Sequence, residues 1–292
     1  MRTIHTQTEQ GVTVYIQGLG ETVKVLHVTD SHISCDTEVD RPYEQYSARM
    51  NNAFKDRNTT EAFRNAMVVA QKENVDLIAL TGDGVNYPSR SSVEYVANAV
   101  KRTGIQSMYT AGNHDWHYEG MVGSSEALRQ EWREKRLTPL YAGLEMHFSS
   151  IEVGGICFIA IDNSTYQVDE EQLAFYRQQS TCGLPIVLLI HIPLSLPIFR
   201  GENRSTLCGD PAWGAATDGN YEIERRERWS EAGNKKSTVE FLDAVINTQN
   251  LIAILCGHIH KERVDAVNSH AVQYVTGPGF QGDYRLIEYR PI

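Results

Sequence analysis

Acids and imidazoles recur in this chain just past the ends of apolar runs. Asp30 and His32 follow the run 23–28, inside Thr29-Asp30-Ser31-His32. Residues i and i+2 of an extended backbone face one side, so this carboxylate and this imidazole can converge on one point. Asp83 follows the run 76–80 in Thr81-Gly82-Asp83-Gly84-Val85-Asn86, the same kind of strand end. Gly112-Asn113-His114-Asp115 closes the run 106–110 and sets an amide and an imidazole at a sheet edge. His191 ends the wholly apolar run 185–190, and His258 and His260 repeat the i, i+2 spacing after 251–255. Asparagine offers a carbonyl oxygen to a cation, and histidine gives or takes a proton near neutral pH.

Each of these turns alone is an ordinary turn; their joint occurrence is specific. Asp30, His32, Asp83, Asn113, His191, His258 and His260 are all oxygen or nitrogen donors with no thiolate among them. Such a set suits two borderline divalent ions, Mn, Fe or Zn, rather than Ca or Mg alone.

The elements that must position these residues read as alternating strands and helices. Strands are expected at 12–16, 23–28, 76–80, 106–110, 148–153, 156–161, 185–190, 251–255, 264–267, 271–275 and 284–289. Helices are expected from Asn58 or Thr59 to about residue 72, and from a Ser91 capping box to Gly104. Others are expected near 126–135, 170–178 and 238–247. Repeated strand, polar turn and helix imply parallel strands with right-handed crossovers, whereas Gly154-Gly155 reads as a hairpin, so the sheets should be mixed. Two polar excursions, 33–58 and 197–236, are long enough to shape a pocket.

Composition bounds the rest. At 292 residues, 41% of them hydrophobic and 22% charged, the chain is read as one domain spanning 1–292. A formal charge of -10 argues against nucleic acid or an anionic membrane as partner. The cluster at Arg225, Arg226 and Arg228 is the local exception. Five scattered cysteines, Cys35, Cys157, Cys182, Cys208 and Cys256, with no Cys-x-x-Cys pair, argue against a disulfide framework or a thiolate zinc site. No basic start followed by an apolar core opens the sequence, and no apolar run reaches membrane-spanning length, so a cytoplasmic location is expected. Oligomeric state leaves no signature.

In order and spacing, Asp-x-His, Gly-Asp-x-x-Asn, Gly-Asn-His-Asp, a later His, and Gly-His-x-His resemble the five signatures of the calcineurin-like metallophosphoesterase superfamily. The match spans residues 30 to 260 and is most similar to its bacterial phosphodiesterase branch. The resemblance implies a four-layer α/β/β/α sandwich with two mixed sheets and a dinuclear centre at the strand ends. By the same resemblance, Asp30, His32, Asp83 and His260 would hold one ion. Asp83, Asn113, His191 and His258 would hold the other, with Asp83 bridging.

The implied activity is hydrolysis of a phosphate ester, a diester slightly favoured over a monoester, by a metal-activated hydroxide. His114, beside a ligand but not itself one, would protonate the leaving group, oriented by Asn86 or Asp115. Asn86 stands where several relatives carry an aspartate and where purple acid phosphatases carry a metal-binding tyrosine. An Fe(III)–tyrosinate centre is therefore not expected. The alternatives are a phosphomonoesterase or nuclease of the same superfamily, or a non-catalytic binding module on the same scaffold; against the last, no ligand position is missing.

Overall fold

The computed structural model describes residues 1–8, 11–43, 54, 56–116, 125–194, 196 and 235–292. Residues 44–53 and 55 of the first excursion, Arg49–Asn52 among them, and nearly all of the second, with the arginines at 225, 226 and 228, lie outside them.

Twelve strands among the described residues form two six-stranded sheets. The first contains β1 (Thr3–Thr8), β2 (Gly11–Ile16), β3 (Val23–Val28), β4 (Leu77–Thr81), β5 (Ser107–Thr110) and β12 (Arg285–Pro291), in the order β1-β2-β12-β3-β4-β5. The second contains β6 (Phe148–Val153), β7 (Ile156–Ile161), β8 (Ile186–Leu189), β9 (Leu251–Cys256), β10 (Arg263–Ala266) and β11 (Val272–Val275), in the order β10-β11-β9-β8-β7-β6. β3, β4 and β5 run parallel, as do β7, β8, β9 and β11, while outer strands pair antiparallel. Both sheets are therefore mixed, as expected from the Gly154-Gly155 hairpin, whose two glycines both have positive φ.

Strand side chains alternate between two apolar layers, which explains why these strands read as unbroken apolar runs. Val25, Leu77, Ala79, Val187, Leu189 and Leu255 point into the layer between the sheets. Their neighbours Leu26, Ile78 and Leu80 pack outward under α1 (Thr59–Lys72) and α2 (Arg90–Thr103). On the far side Ile186 and Leu188 pack under α4 (Glu170–Gln179) and α5 (Lys236–Asn247). The result is the four-layer α/β/β/α sandwich. Between α2 and β6, α3 (Ser125–Trp132) runs on into a π-turn, Arg133–Leu137. No helix among the described residues is long and apolar enough to cross a membrane.

One local detail differs from expectation and two lie beyond it. The cap of α2 is Ser89, whose side chain accepts from Ser92 N at 3.2 Å; Ser91 lies inside the first turn and pairs with Thr37. β1 carries no apolar alternation (Thr-Ile-His-Thr-Gln-Thr, mostly exposed) because it is an edge strand, so its sequence shows no strand signal. β2 and β3, consecutive in sequence, are separated by β12, which runs parallel to β2 and antiparallel to β3.

Candidate metal centre

Every acidic or imidazole residue singled out in the sequence lies beyond the carboxyl end of one of the parallel-paired strands. Asp30 and His32 follow β3, Asp83 follows β4, Asn113 and His114 follow β5, His191 follows β8, and His258 and His260 follow β9. Parallel strands point these ends the same way, so both sheets deliver side chains to one crevice.

The turns that do this are tight. Asp30, His32, Asp83, His258 and His260 all have positive φ, between 44° and 72°. Non-glycine residues held in that region carry strain that the surrounding structure must offset, and such residues cluster at functional sites. Gly257 and Gly112 let the turns approach one another. A Cβ on Gly257 would run into Thr29 Oγ1 and Asp30 Oδ2, and one on Gly112 into Asp83 Oδ1.

Two clusters result, Asp30-His32-Asp83-His260 and Asp83-His191-His258, each with ligand atoms within 4.8 Å of one another. Asp83 belongs to both. Its Oδ2 lies 3.7 Å from His32 Nε2 and 3.3 Å from His191 Nε2, while its Oδ1 accepts from His114 N at 2.8 Å. Asp30 Oδ1 lies 3.3 Å from His260 Nε2, and its two oxygens accept from His258 N. His32 and His260 face each other through their Nε2 atoms at 3.1 Å.

The donor set fits divalent cations. Two imidazole lone pairs cannot face at that distance without a proton or a cation between them. Asn113 Oδ1 is buried with no hydrogen-bond partner. A buried acceptor left unpaired costs about 1–3 kcal/mol, and a cation relieves it. Protons report the same field. Burial lowers the His191 pKa, but the Asp83 carboxylate outweighs it and holds the group up at about 9. Burial raises the Asp83 pKa, yet the surrounding imidazoles keep it well below the ordinary carboxylate value. Burial, and then His114, push His32 the other way, well below an ordinary histidine.

Residues 23–262 match the calcineurin-like phosphoesterase family. The chain belongs to that family. It is thus a hydrolase of phosphoric esters that works with two divalent metal ions, and the Asp–His clusters are its candidate metal-binding residues. It matches no curated protein sequence. Among solved structures it resembles a dimetal phosphatase from Danio rerio (TM-score 0.55, 10% identity, covering 91% of this chain and 92% of that one). It also resembles the protein TT1561 of Thermus thermophilus (TM-score 0.50, 11% identity, 91% and 93%). A third is the purple acid phosphatase PPD1 from yellow lupin seeds (TM-score 0.52, 11% identity, 92% of this chain and 46% of that one). At such identities the likeness is one of fold.

Two residues of this calcineurin-like phosphoesterase act differently from the sequence expectation. His114 Nδ1 is 3.1 Å from the backbone carbonyl of Asn86, not its side chain, whose amide is buried with both polar atoms unpaired. Asp115 does not orient His114. Its Oδ1 accepts from Val85 N (2.9 Å) and its Oδ2 from Gly112 N (2.7 Å), so both oxygens staple the Asp83 turn to the Asn113 turn. Burial, then the Asp83 charge, raise the Asp115 pKa to about 7.

Sequence reasoning also misses the residues behind the candidate ligands. His191 Nδ1 donates to Thr81 O at 2.7 Å, which fixes its tautomer and leaves Nε2 for the cluster. Phe54 stacks on His32 with ring centroids 4.6 Å apart, and Phe280 meets His32 and His260 edge-on. Phe280 is set there by backbone bonds from Gly279 N to Thr29 O and from Phe280 N to Asp30 O. No periodicity marks such residues.

Proposed function

We propose that this enzyme is a metal-dependent phosphodiesterase, with Asp30, His32, Asp83 and His260 holding one ion. In this reading Asp83, Asn113, His191 and His258 hold the other, and His114 is the general acid. The observation that carries the assignment is the position of Asp83 Oδ2 between His32 and His191, which makes one carboxylate common to both clusters. Bound there, two divalent ions polarise the phosphoryl oxygens and acidify water, chemistry that protein groups alone supply poorly.

The chain's own contribution is positional. A carbonyl can only accept, so the bond to Asn86 O puts a proton on His114 Nδ1 and leaves Nε2 as the exchanging nitrogen. In its imidazolium form His114 donates that Nε2 proton to the leaving oxygen. Its backbone N–H, bound to Asp83 Oδ1, ties the acid to the shared ligand. A diester is favoured because the ligand pattern, with Asp115 after Gly-Asn-His and no tyrosine at 86, is most similar to the phosphodiesterase branch.

The test is hydrolysis of bis(p-nitrophenyl) phosphate against p-nitrophenyl phosphate by metal-stripped protein, with and without Mn(II). Metal-restored cleavage favouring the diester is expected. A monoester preference would make the enzyme a phosphatase, and absence of bound metal would sink the dinuclear assignment.

A further inference from the structure

The loop after β7, residues 162–168, contributes no side chain to either Asp–His cluster among the described residues, yet it touches three of the turns that do. Asn163 clamps the His191 turn: its Oδ1 accepts from His191 N (3.1 Å) and Ile192 N (3.0 Å), and its Nδ2 donates to Ile192 O (2.7 Å). Ser164 Oγ accepts from the indole of Trp116 at 2.8 Å, which ties in the chain just past Asn113 and His114. Tyr166 reaches His258, with its hydroxyl 3.2 Å from Nε2 and its ring edge-on at a centroid distance of 5.5 Å.

Tyr166 is fully buried, and its φ of +62° is strained for a non-glycine residue. A Tyr166 N to Asn163 O bond of 2.8 Å closes the turn that holds it there. The loop itself is braced from outside. Asp162 Oδ1 accepts from Ser164 N at 3.0 Å, the Asp162 carbonyl accepts from Gln172 Nε2 at 2.6 Å, and Arg129 lies 3.8 Å from the carboxylate.

We propose that Tyr166 is a positioning residue for the second metal half-site: it holds His258 by Nε2, so that Nδ1 is the nitrogen turned to the cation. The inference rests on the two-metal reading above and adds to it an outer partner for His258. An imidazole whose Nδ1 lone pair meets a cation must carry its proton on Nε2, and that N–H then donates to the Tyr166 oxygen. Such outer partners fix the ring and raise its basicity, and their loss typically costs about 10–100-fold in metal affinity. His191, the other imidazole of this cluster, has its partner in Thr81 O, so each imidazole of the second half-site is anchored through its remote nitrogen.

The experiment is Mn(II) binding by equilibrium dialysis to the parent and to Tyr166→Phe, which keeps the ring and removes the hydroxyl. Asn113→Ala, which alters only the second ligand set, identifies the constant that belongs to that half-site. Tyr166→Phe is expected to weaken that constant by about 10–100-fold and to leave the first unchanged. The metal-free melting temperature is measured alongside. Unchanged constants, with or without a lower melting temperature, would mean that the tyrosine only packs, and would overturn the proposal alone. Equal weakening of both constants would overturn it too, because the effect would then be on the whole crevice. A parent that binds no Mn(II) would overturn both this inference and the two-metal reading.

Discussion

His27, buried beneath the turns that carry the Asp–His clusters, should make the fold acid-sensitive by an amount that can be worked out. Its ring is completely buried on β3, with Nε2 2.7 Å from Thr81 Oγ1 and Nδ1 2.7 Å from Thr276 Oγ1. Arg285 Nε already donates to Thr276 Oγ1, so the threonine hydroxyl hydrogen can serve Nδ1 while Nε2–H serves Thr81. Burial, and after it the Arg285 charge, lower the His27 pKa from 6.5 to about 3. Because the folded value is depressed, the unfolded chain takes up a proton below pH 6.5 that the folded chain refuses. The group's contribution is complete above that pH and fades by about 1.4 kcal/mol per pH unit as acid is added, to be exhausted near pH 3. From about pH 7.5 to about pH 5 the loss is about 2 kcal/mol.

Urea unfolding of metal-stripped parent and His27→Gln at those two pH values isolates this term, since other titrations act on both proteins alike. His27→Gln should be the less stable at the higher pH, and the gap should narrow, or change sign, by about 2 kcal/mol at the lower. A gap that stays constant within about 0.5 kcal/mol would show that His27 is not held neutral by burial.

Three further outcomes follow from the site. Asp83→Asn should deplete both ions, because Asp83 Oδ2 lies between the two clusters; two metals per chain in that variant, measured by elemental analysis, would refute the bridge. His114→Asn should keep both metals but slow alkyl esters by about 10²–10⁴-fold, with aryl esters hurt less because their leaving groups need no proton. Equal turnover of an alkyl ester by variant and parent would remove His114 as the acid. Gly257→Ala should drive a methyl group into Thr29 and Asp30, lowering both metal content and melting temperature; parent-like values for both would show that the turns can give way.

The candidate metal-binding residues are legible in the sequence because two separate signals coincide. Apolar runs locate the strands, and a donor side chain stands just past each carboxyl end, where parallel strands gather. The orienting contacts are not legible, because they depend on backbone path rather than on residue type. Asn86 serves through its carbonyl, which any residue owns, and Asp115 serves two neighbouring N–H groups instead of the imidazole beside it in sequence. Asn163, just past β7, carries the same strand-end signal without joining either cluster, and Tyr166 carries no spacing signature at all. β1 escapes notice for a different reason: a polar edge strand buries too little to leave a pattern. The misplaced cap of α2 comes from two serines two residues apart, either of which could fill that role.

The place of β12 has a consequence for synthesis. This strand supplies the rung between β2 and β3, and Arg285 pairs with His27 only three residues before Asp30. Until residues 285–291 leave the ribosome, the β1-β2 hairpin and the β3-β4-β5 sheet are separate pieces, each with an open edge able to pair with the wrong chain. Closing them means joining positions more than 250 residues apart, a slow step in any topology. All the proposed metal-binding residues are made before that step, the last being His260. A chain truncated before Arg285 should therefore take up no stoichiometric Mn(II), which equilibrium dialysis can check. Metal uptake would then act as an inspection of the closed sheet, because a chain without β12 holds the right residues without the sheet that aims them.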